Sequence, residues 1–245
     1  MTTSLQLSSL PPEQLAAFIK KLEREKAKRE AENRLGSYYP DEGPLRRELY
    51  QKHMAFFAAG KQHRERAAIA ANRVGKTESI GGYESTVHLI GEYPKWWPGR
   101  RWDRPINLLC GGDTSTTTRD IIVRKLLGPP EARGTGLIPK RCIEDLRPFN
   151  GVPNHVDTAL IKNANGGLST LQFRSYDQGR VAWQGTERDI VWLDEEPPQE
   201  IYTEALIRLM TTQGSLIATF TPLKGMTDVA LQFMPHLAPA HQAAA

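Results

Sequence analysis

From about residue 45 onward, short runs of apolar residues alternate with longer stretches whose apolar positions recur every three or four residues. The first pattern suits buried strands and the second suits helices laid over them. The alternation therefore predicts an α/β fold with a mostly parallel central sheet flanked by helices. Strands are expected at 67–71, 106–110, 170–173, 190–193 and 216–220, and helices at 77–89, 116–127 and 199–210. Glycine and proline are frequent between 128 and 167, which predicts a hairpin or an excursion from the sheet. No internal repeat is visible.

The first 44 residues follow another pattern. Pro11, Pro12 and Glu13 can open a helix with Ser9 as its cap, and Leu15, Phe18, Ile19 and Leu22 fall at helical spacing. The run then becomes KKLEREKAKREAENR, whose alternating charges read as a solvated helix. Tyr39-Pro40-Asp41-Glu42-Gly43-Pro44 is a cluster of breakers, which sets the expected division: a helical N-terminal arm over 1–44 and one core domain over 45–245.

Composition changes this picture little. With 245 residues, 39% hydrophobic and 24% charged, the chain can bury a core without metals or disulfides, and global disorder is excluded. The net charge of +4 permits a polyanionic partner without requiring one. Cys110 and Cys142 lie far apart and outside any metal-ligand spacing, so they read as reduced, buried thiols. The start MTTSLQLSSLPPEQL lacks the layout of a signal peptide, and no apolar run is long enough to cross a bilayer. A soluble intracellular protein with no membrane association is expected.

The candidate chemistry begins with RAAIAANRVGKTES, an apolar strand, a turn and a helix start. In such a loop the backbone N–H groups of Asn72, Arg73, Val74 and Gly75 curl around phosphates. Lys76 neutralises the outer phosphates, the Thr77 hydroxyl ligates Mg²⁺, and Glu78 lies in the first helical turn. The pattern G-x-x-x-x-G-K-[ST] departs at its first position, where Ala70 stands in place of glycine.

Further along, Ile190, Val191, Trp192 and Leu193 form a buried-strand run that ends in Asp194 and Glu195 and is cut off by Pro197 and Pro198. Carboxylates at that end of a parallel strand project into the crevice where nucleotides bind. Asp194 would hold the magnesium and Glu195 would polarise the attacking water, with Glu196 as the competing base. GSLIATFTPLKG is a third strand end, placing the hydroxyls of Thr219 and Thr221 beside a γ-phosphate. The geometric expectation is that Lys76 and Thr77 converge with Asp194 and Glu195, across adjacent strand ends, on one magnesium triphosphate.

Taken in order, LYQKHMAFFAAG, AANRVGKT, IVWLDEE and ATFTPLKG resemble the large terminase subunit of tailed double-stranded DNA bacteriophages. The run FRSYDQGRVAWQGTERDIVWLDEEPP also resembles that family's approach to its acidic motif, and the likeness covers about residues 45–230. It implies a RecA-like P-loop NTPase core of the ASCE type that hydrolyses ATP with Mg²⁺. It further implies a homo-oligomeric ring on the portal protein, fed by the small terminase subunit, that drives double-stranded DNA into a procapsid in the host cytoplasm. By the same resemblance Tyr50, Gln51 and His53 fall where the family contacts adenine, although a glutamine is usual at position 53. Thr219 and Thr221 match its coupling motif. The family also uses an arginine near the loop or from a neighbour: Arg73 is the candidate in the loop, and Arg119 and Arg124 are candidates in trans. Family members normally continue into a nuclease domain, and this chain carries only a short tail after the coupling strand, so ATP hydrolysis without DNA cleavage is expected.

In YPKWWPGRRWDRP, Arg100, Arg101 and Arg104 interleave with Trp96, Trp97 and Trp102. That stretch could grip a phosphate backbone, pin a loop to the core, or meet a neighbouring subunit. A helicase-like ATPase is the alternative enzyme, and a non-catalytic DNA-binding module the alternative outside enzymes.

Overall fold

The computed structural model describes residues 11–71 and 74–234. Within them a seven-stranded sheet is built from β1 (Glu65–Ile69), β2 (Asn107–Gly112), β3 (Ile143–Pro148), β4 (Val156–Lys162), β5 (Leu168–Ser175), β6 (Ile190–Asp194) and β7 (Ser215–Phe220). The spatial order is β1-β7-β6-β2-β5-β4-β3. Every pairing from β1 across to β5 is parallel, and β4 and β3 extend that edge antiparallel. The Gly- and Pro-rich excursion is thus a hairpin that widens the sheet.

The central strands show why the sequence folds this way. All five residues of β6 and all six of β7 are buried, as expected of parallel strands covered on both faces. One apolar cluster gathers Val87, Ile90, Leu108, Ile122, Phe173 and Trp192 on one face. The other joins Leu109, Val191, Leu193, Leu216 and Phe220 beneath α6 (Gln199–Leu209) and α7 (Asp228–Phe233). Cys110 and Cys142 are free and buried, and among the described residues no helix is long and apolar enough to cross a membrane.

Two expectations shift. Strand β1 begins and ends two residues before the expected 67–71. Ala70 and Ala71 leave the ladder because their carbonyls accept hydrogen bonds from Lys76 Nζ, at 3.0 and 2.9 Å. The helix expected at 77–89 is two pieces: Lys76–Gly82 winds as a π-helix, and only Tyr83–Ile90 (α3) is α-helical. The helix expected at 116–127 splits likewise into α4 (Ser115–Thr117), a π-helical stretch Thr118–Val123, and α5 (Arg124–Leu127). Both π-helical stretches start at the carboxyl end of the parallel strands, and such local widening concentrates at functional sites.

The N-terminal helix α1 (Pro12–Glu32) forms as expected, with Ile19 and Leu22 about half exposed; its expected cap, Ser9, lies outside the described residues. Beyond it the chain turns inward. Leu35 and Tyr39 are buried, and the Tyr39 ring meets Tyr50, Phe57, Tyr83 and Trp96 edge-on. A short helix α2 (Gln51–Ala59) then leads to β1. Behind α3, Arg66 donates to both carboxylate oxygens of the fully buried Glu84, at 2.7 and 3.1 Å, and His88 Nε2 lies 3.3 Å from the same group. Burial disfavours the His88 cation and lowers its pKa, so the pair Arg66–Glu84 carries the charge of this cluster. Removing one partner of a buried pair strands the other, which costs about 3–5 kcal/mol. Arg66→Ala should therefore lower the thermal midpoint of the folded protein by several degrees, and a melt matching wild type would contradict that account.

Candidate nucleotide-binding and hydrolysis site

Strand β1 delivers the chain to a loop whose last residue, Gly75, has φ +86°, a left-handed conformation that glycine adopts without strain. From there Lys76 turns back across the loop. Its Nζ donates to the carbonyl oxygens of Ala70 and Ala71 and, at 2.7 Å, to Thr221 Oγ1. The Thr221 hydroxyl donates to Ala70 O at 2.7 Å. A cavity of about 290 Å³ opens beside this loop, lined by Gly75, Lys76, Thr77, Glu78, Ser79, Lys125 and Glu195.

The acidic side of the cleft comes from β6. Asp194 is buried, and its Oδ1 accepts a 2.6 Å bond from Thr219 Oγ1, which itself accepts from Trp192 Nε1 at 2.9 Å. The Thr77 hydroxyl donates to the same carboxylate. Burial outweighs these hydrogen bonds and pushes the Asp194 carboxyl up to about 7. Glu195, the next residue, takes φ +64°, an uncommon conformation for a residue with a side chain, and is held there by Glu195 N donating to Thr219 O at 2.9 Å. Tyr176 Oη donates to the main-chain oxygens of both Asp194 and Glu195, at 3.1 Å each. Glu195 is exposed and lines the cavity. Glu196 faces elsewhere: its Oε1 accepts from the Thr227 hydroxyl that caps α7.

Lys76 and Thr77 thus meet Asp194 and Glu195, but not across adjacent strand ends. Strand β7 lies between β1 and β6, so Thr219 reaches Asp194 on one side while Thr221 reaches Lys76 on the other. Burial agrees with that place: β7 is buried along its whole length, as a strand with neighbours on both sides must be.

The remaining candidates divide. Tyr50 and His53 are half-buried; His53 Nδ1 lies 2.7 Å from Tyr39 Oη, which donates to Ser79 O at 2.5 Å, so Tyr39 links His53 to the first turn after Thr77, while the Tyr50 ring packs on Tyr39 and His53. Burial lowers the His53 pKa and favours the neutral ring. Gln51 is exposed, and so is Val74. Asn72 and Arg73 lie outside the described residues. Arg119 is paired with Asp120, Nε to Oδ1 at 2.7 Å, and Arg124 is exposed. Trp97 and Trp102 are buried, Arg100 stacks 3.9 Å over Trp102, and Arg104 grips Asp189 at 2.7 and 3.1 Å. That stretch pins its loop to the core.

The partners of Glu78 had no signal in the sequence. Glu78 accepts hydrogen bonds from Tyr38 Oη at 2.5 Å, from Lys125 Nζ at 2.7 Å and from Arg34. Burial alone would raise its carboxyl, but these donors hold it below the usual range. Lys125 comes from the first half of α5, 47 residues along the chain from Glu78, and only the tertiary fold brings it here.

A carboxylate and a hydroxyl side by side are hard oxygen donors of the kind magnesium takes alongside phosphate oxygens, so Asp194 and Thr77 fit that ion. The raised Asp194 pKa carries a stability consequence. An aspartate near 3.8 when unfolded and about 7 when folded favours the fold fully below pH 4, and that contribution is lost as pH rises through 7. The shift corresponds to an upper bound on the order of 4 kcal/mol. In metal-free protein, the melting temperature of Asp194→Asn relative to wild type should rise between pH 5 and pH 8. A difference that does not change with pH would contradict this.

A parallel sheet with a Gly-Lys-Thr loop after its first strand, and an acidic strand end two places across, defines a P-loop nucleotide-binding fold. The chain belongs to the large terminase subunit family. The family described as terminase large subunit, T4likevirus-type, N-terminal, matches residues 68–238. The large terminase subunit of Salmonella phage P22 is 38% identical over 205 residues, an alignment covering 76% of this chain and 41% of that protein. The chain therefore spans about two fifths of that relative's length. Similar solved structures include the large terminase of a thermophilic bacteriophage (TM-score 0.47, 12% identity, 69% of this chain and 37% of that one). The same protein in complex with ADP gives TM-score 0.46 at 13% identity, with 69% and 37% coverage. A mutant ATPase domain of the Thermus phage P74-26 large terminase gives 0.45 at 18% identity, covering 69% of this chain and 64% of that one.

Proposed function

We propose that this chain is an ATP-hydrolysing motor that moves double-stranded DNA into a viral procapsid. The observation that carries the reading is the convergence of Lys76, Thr77, Asp194 and Glu195 on one cleft, in a chain of the large terminase family. Asp194 and Thr77 would hold Mg²⁺, which neutralises charge that develops on the phosphates. Lys76 would exchange its loop carbonyls for phosphate oxygens. Glu195, exposed at the cavity wall, would take a proton from the attacking water. Thr219 and Thr221, on either side of β7, would register loss of the γ-phosphate through Asp194 and Lys76 together. Tyr50 and His53 would border the base, and the portal protein, the small terminase subunit and a ring of further copies complete the machine in the host cytoplasm.

ATP turnover should require divalent metal, disappear in EDTA and return with added Mg²⁺. Turnover that persists in EDTA would remove Asp194 and Thr77 from the reading. The helicase alternative predicts that the chain separates a forked duplex; a packaging motor leaves the strands paired.

A further inference from the structure

The cleft continues past Thr77 and the carboxylates into a second cavity of about 180 Å³, lined by Thr77, Gly112, Thr118, Ile122, Asp194 and Glu195 among others. Two features of its far wall lack a structural explanation. The Thr118 side chain is fully buried, yet among the described residues its Oγ1 has no hydrogen-bond partner. Buried hydroxyls are nearly always paired, and one left without a protein partner is commonly met by an ordered water. The second feature is Gly112, which ends β2. A Cβ there would stand 3.2 Å from Thr118 Oγ1, 3.0 Å from Ile122 Cδ1 and 3.7 Å from the main-chain oxygen of Asp194. The absent side chain keeps open the gap between the hydroxyl and the end of β6.

We propose that this cavity holds the water that attacks the terminal phosphate of ATP, anchored between Thr118 Oγ1 and the Glu195 carboxylate. The proposal rests on the hydrolytic reading above. Asp113, Asp194 and Glu195 all line the cavity, which repels a free anion, and Glu195 offers a water an acceptor beside the Asp194–Thr77 pair. The water gives one hydrogen to Glu195 and the other to Thr118 Oγ1, leaving a lone pair for phosphorus. The new O–P bond forms as the bond from phosphorus to the β–γ bridging oxygen breaks. ADP carries away that electron pair, and the proton taken by Glu195 passes to the departing phosphate or to solvent. The π-helical stretch that starts at Thr118 directs this hydroxyl inward, while Thr118 N is satisfied by Thr114 O at 2.8 Å.

Steady-state hydrolysis by the whole chain with Mg²⁺ tests the assignment through Thr118→Val, Thr118→Ser and Gly112→Ala. Losing one hydrogen bond to the reacting water lowers kcat by roughly ten- to a hundredfold. Thr118→Val and Gly112→Ala should both show this fall with KM for ATP and affinity for ADP unchanged, and Thr118→Ser should stay within a few-fold of wild type. Wild-type kcat in Thr118→Val, or a rise in KM alone, overturns the proposal. Should that variant melt below the assay temperature, Gly112→Ala decides by the same two outcomes. If wild type itself fails to hydrolyse ATP, the hydrolytic reading falls; if it hydrolyses and Thr118→Val matches it, only the place of the water falls.

Discussion

Glu195→Ala should leave ATP bound and abolish its turnover, lowering kcat by roughly a hundred- to ten-thousandfold, the usual contribution of a positioned general base. Lys76→Ala should lose turnover to a similar degree and lose nucleotide affinity as well, because its ammonium would serve both bound ATP and the charge that grows as the phosphoryl group transfers. The two variants thus separate in binding: a labelled ATP analogue is retained by the first and not by the second. Glu196→Ala supplies the control. Its carboxylate receives the Thr227 hydroxyl at the start of α7 and does not line the cleft, so its loss should affect stability more than chemistry. Full turnover in Glu195→Ala together with collapse in Glu196→Ala would move the base by one residue and refute the assignment made from the cavity wall.

Gly81→Ala should be strongly destabilising. A Cβ at that position would overlap the Trp192 indole, which is fully buried on β6 and has no room to retreat. Overpacking of this kind costs about 1–3 kcal/mol, and the upper end applies where the clash meets a rigid ring. For a chain of this size that corresponds to a fall in melting temperature of roughly 5–10 °C. The damage should reach the chemistry, because Trp192 Nε1 bonds Thr219 and Thr219 bonds Asp194. Thermal melts and ATP turnover of the same variant check both halves, and a melting point within a degree of wild type would refute the packing argument. Combining Gly81→Ala with Trp192→Phe should recover stability without recovering the hydrogen bond to Thr219.

The strands that carry Asp194 and Thr219 were legible because β6 and β7 are unbroken apolar runs ended by prolines or polar turns, a signal that burial on both faces produces directly. The sequence pattern puts β1 two residues late, since the alanines of 67–71 look alike and only Lys76 decides which of their carbonyls leave the ladder. The hairpin β3–β4 showed itself only as a Gly- and Pro-rich stretch, because β3 is an edge strand that buries little. Tyr39 stood within a cluster of breakers, and nothing local revealed that its ring would be buried against Tyr83 and its hydroxyl would reach Ser79. Lys125 and Thr118 sit on a helical segment whose winding changes from α to π and back, and no residue pattern marks that change. Chemistry fixed by contiguous residues was visible; chemistry assembled from distant side chains was not.

Lys76 donates to three oxygens at once, those of Ala70, Ala71 and Thr221, which fixes its ammonium against the wall of its own loop. On the proposed reading, a bound polyphosphate would have to replace all three acceptors of this ammonium. Because Thr221 bonds Lys76 and follows the strand whose Thr219 bonds Asp194, the basic and acidic sides of the cleft are tied to one strand end.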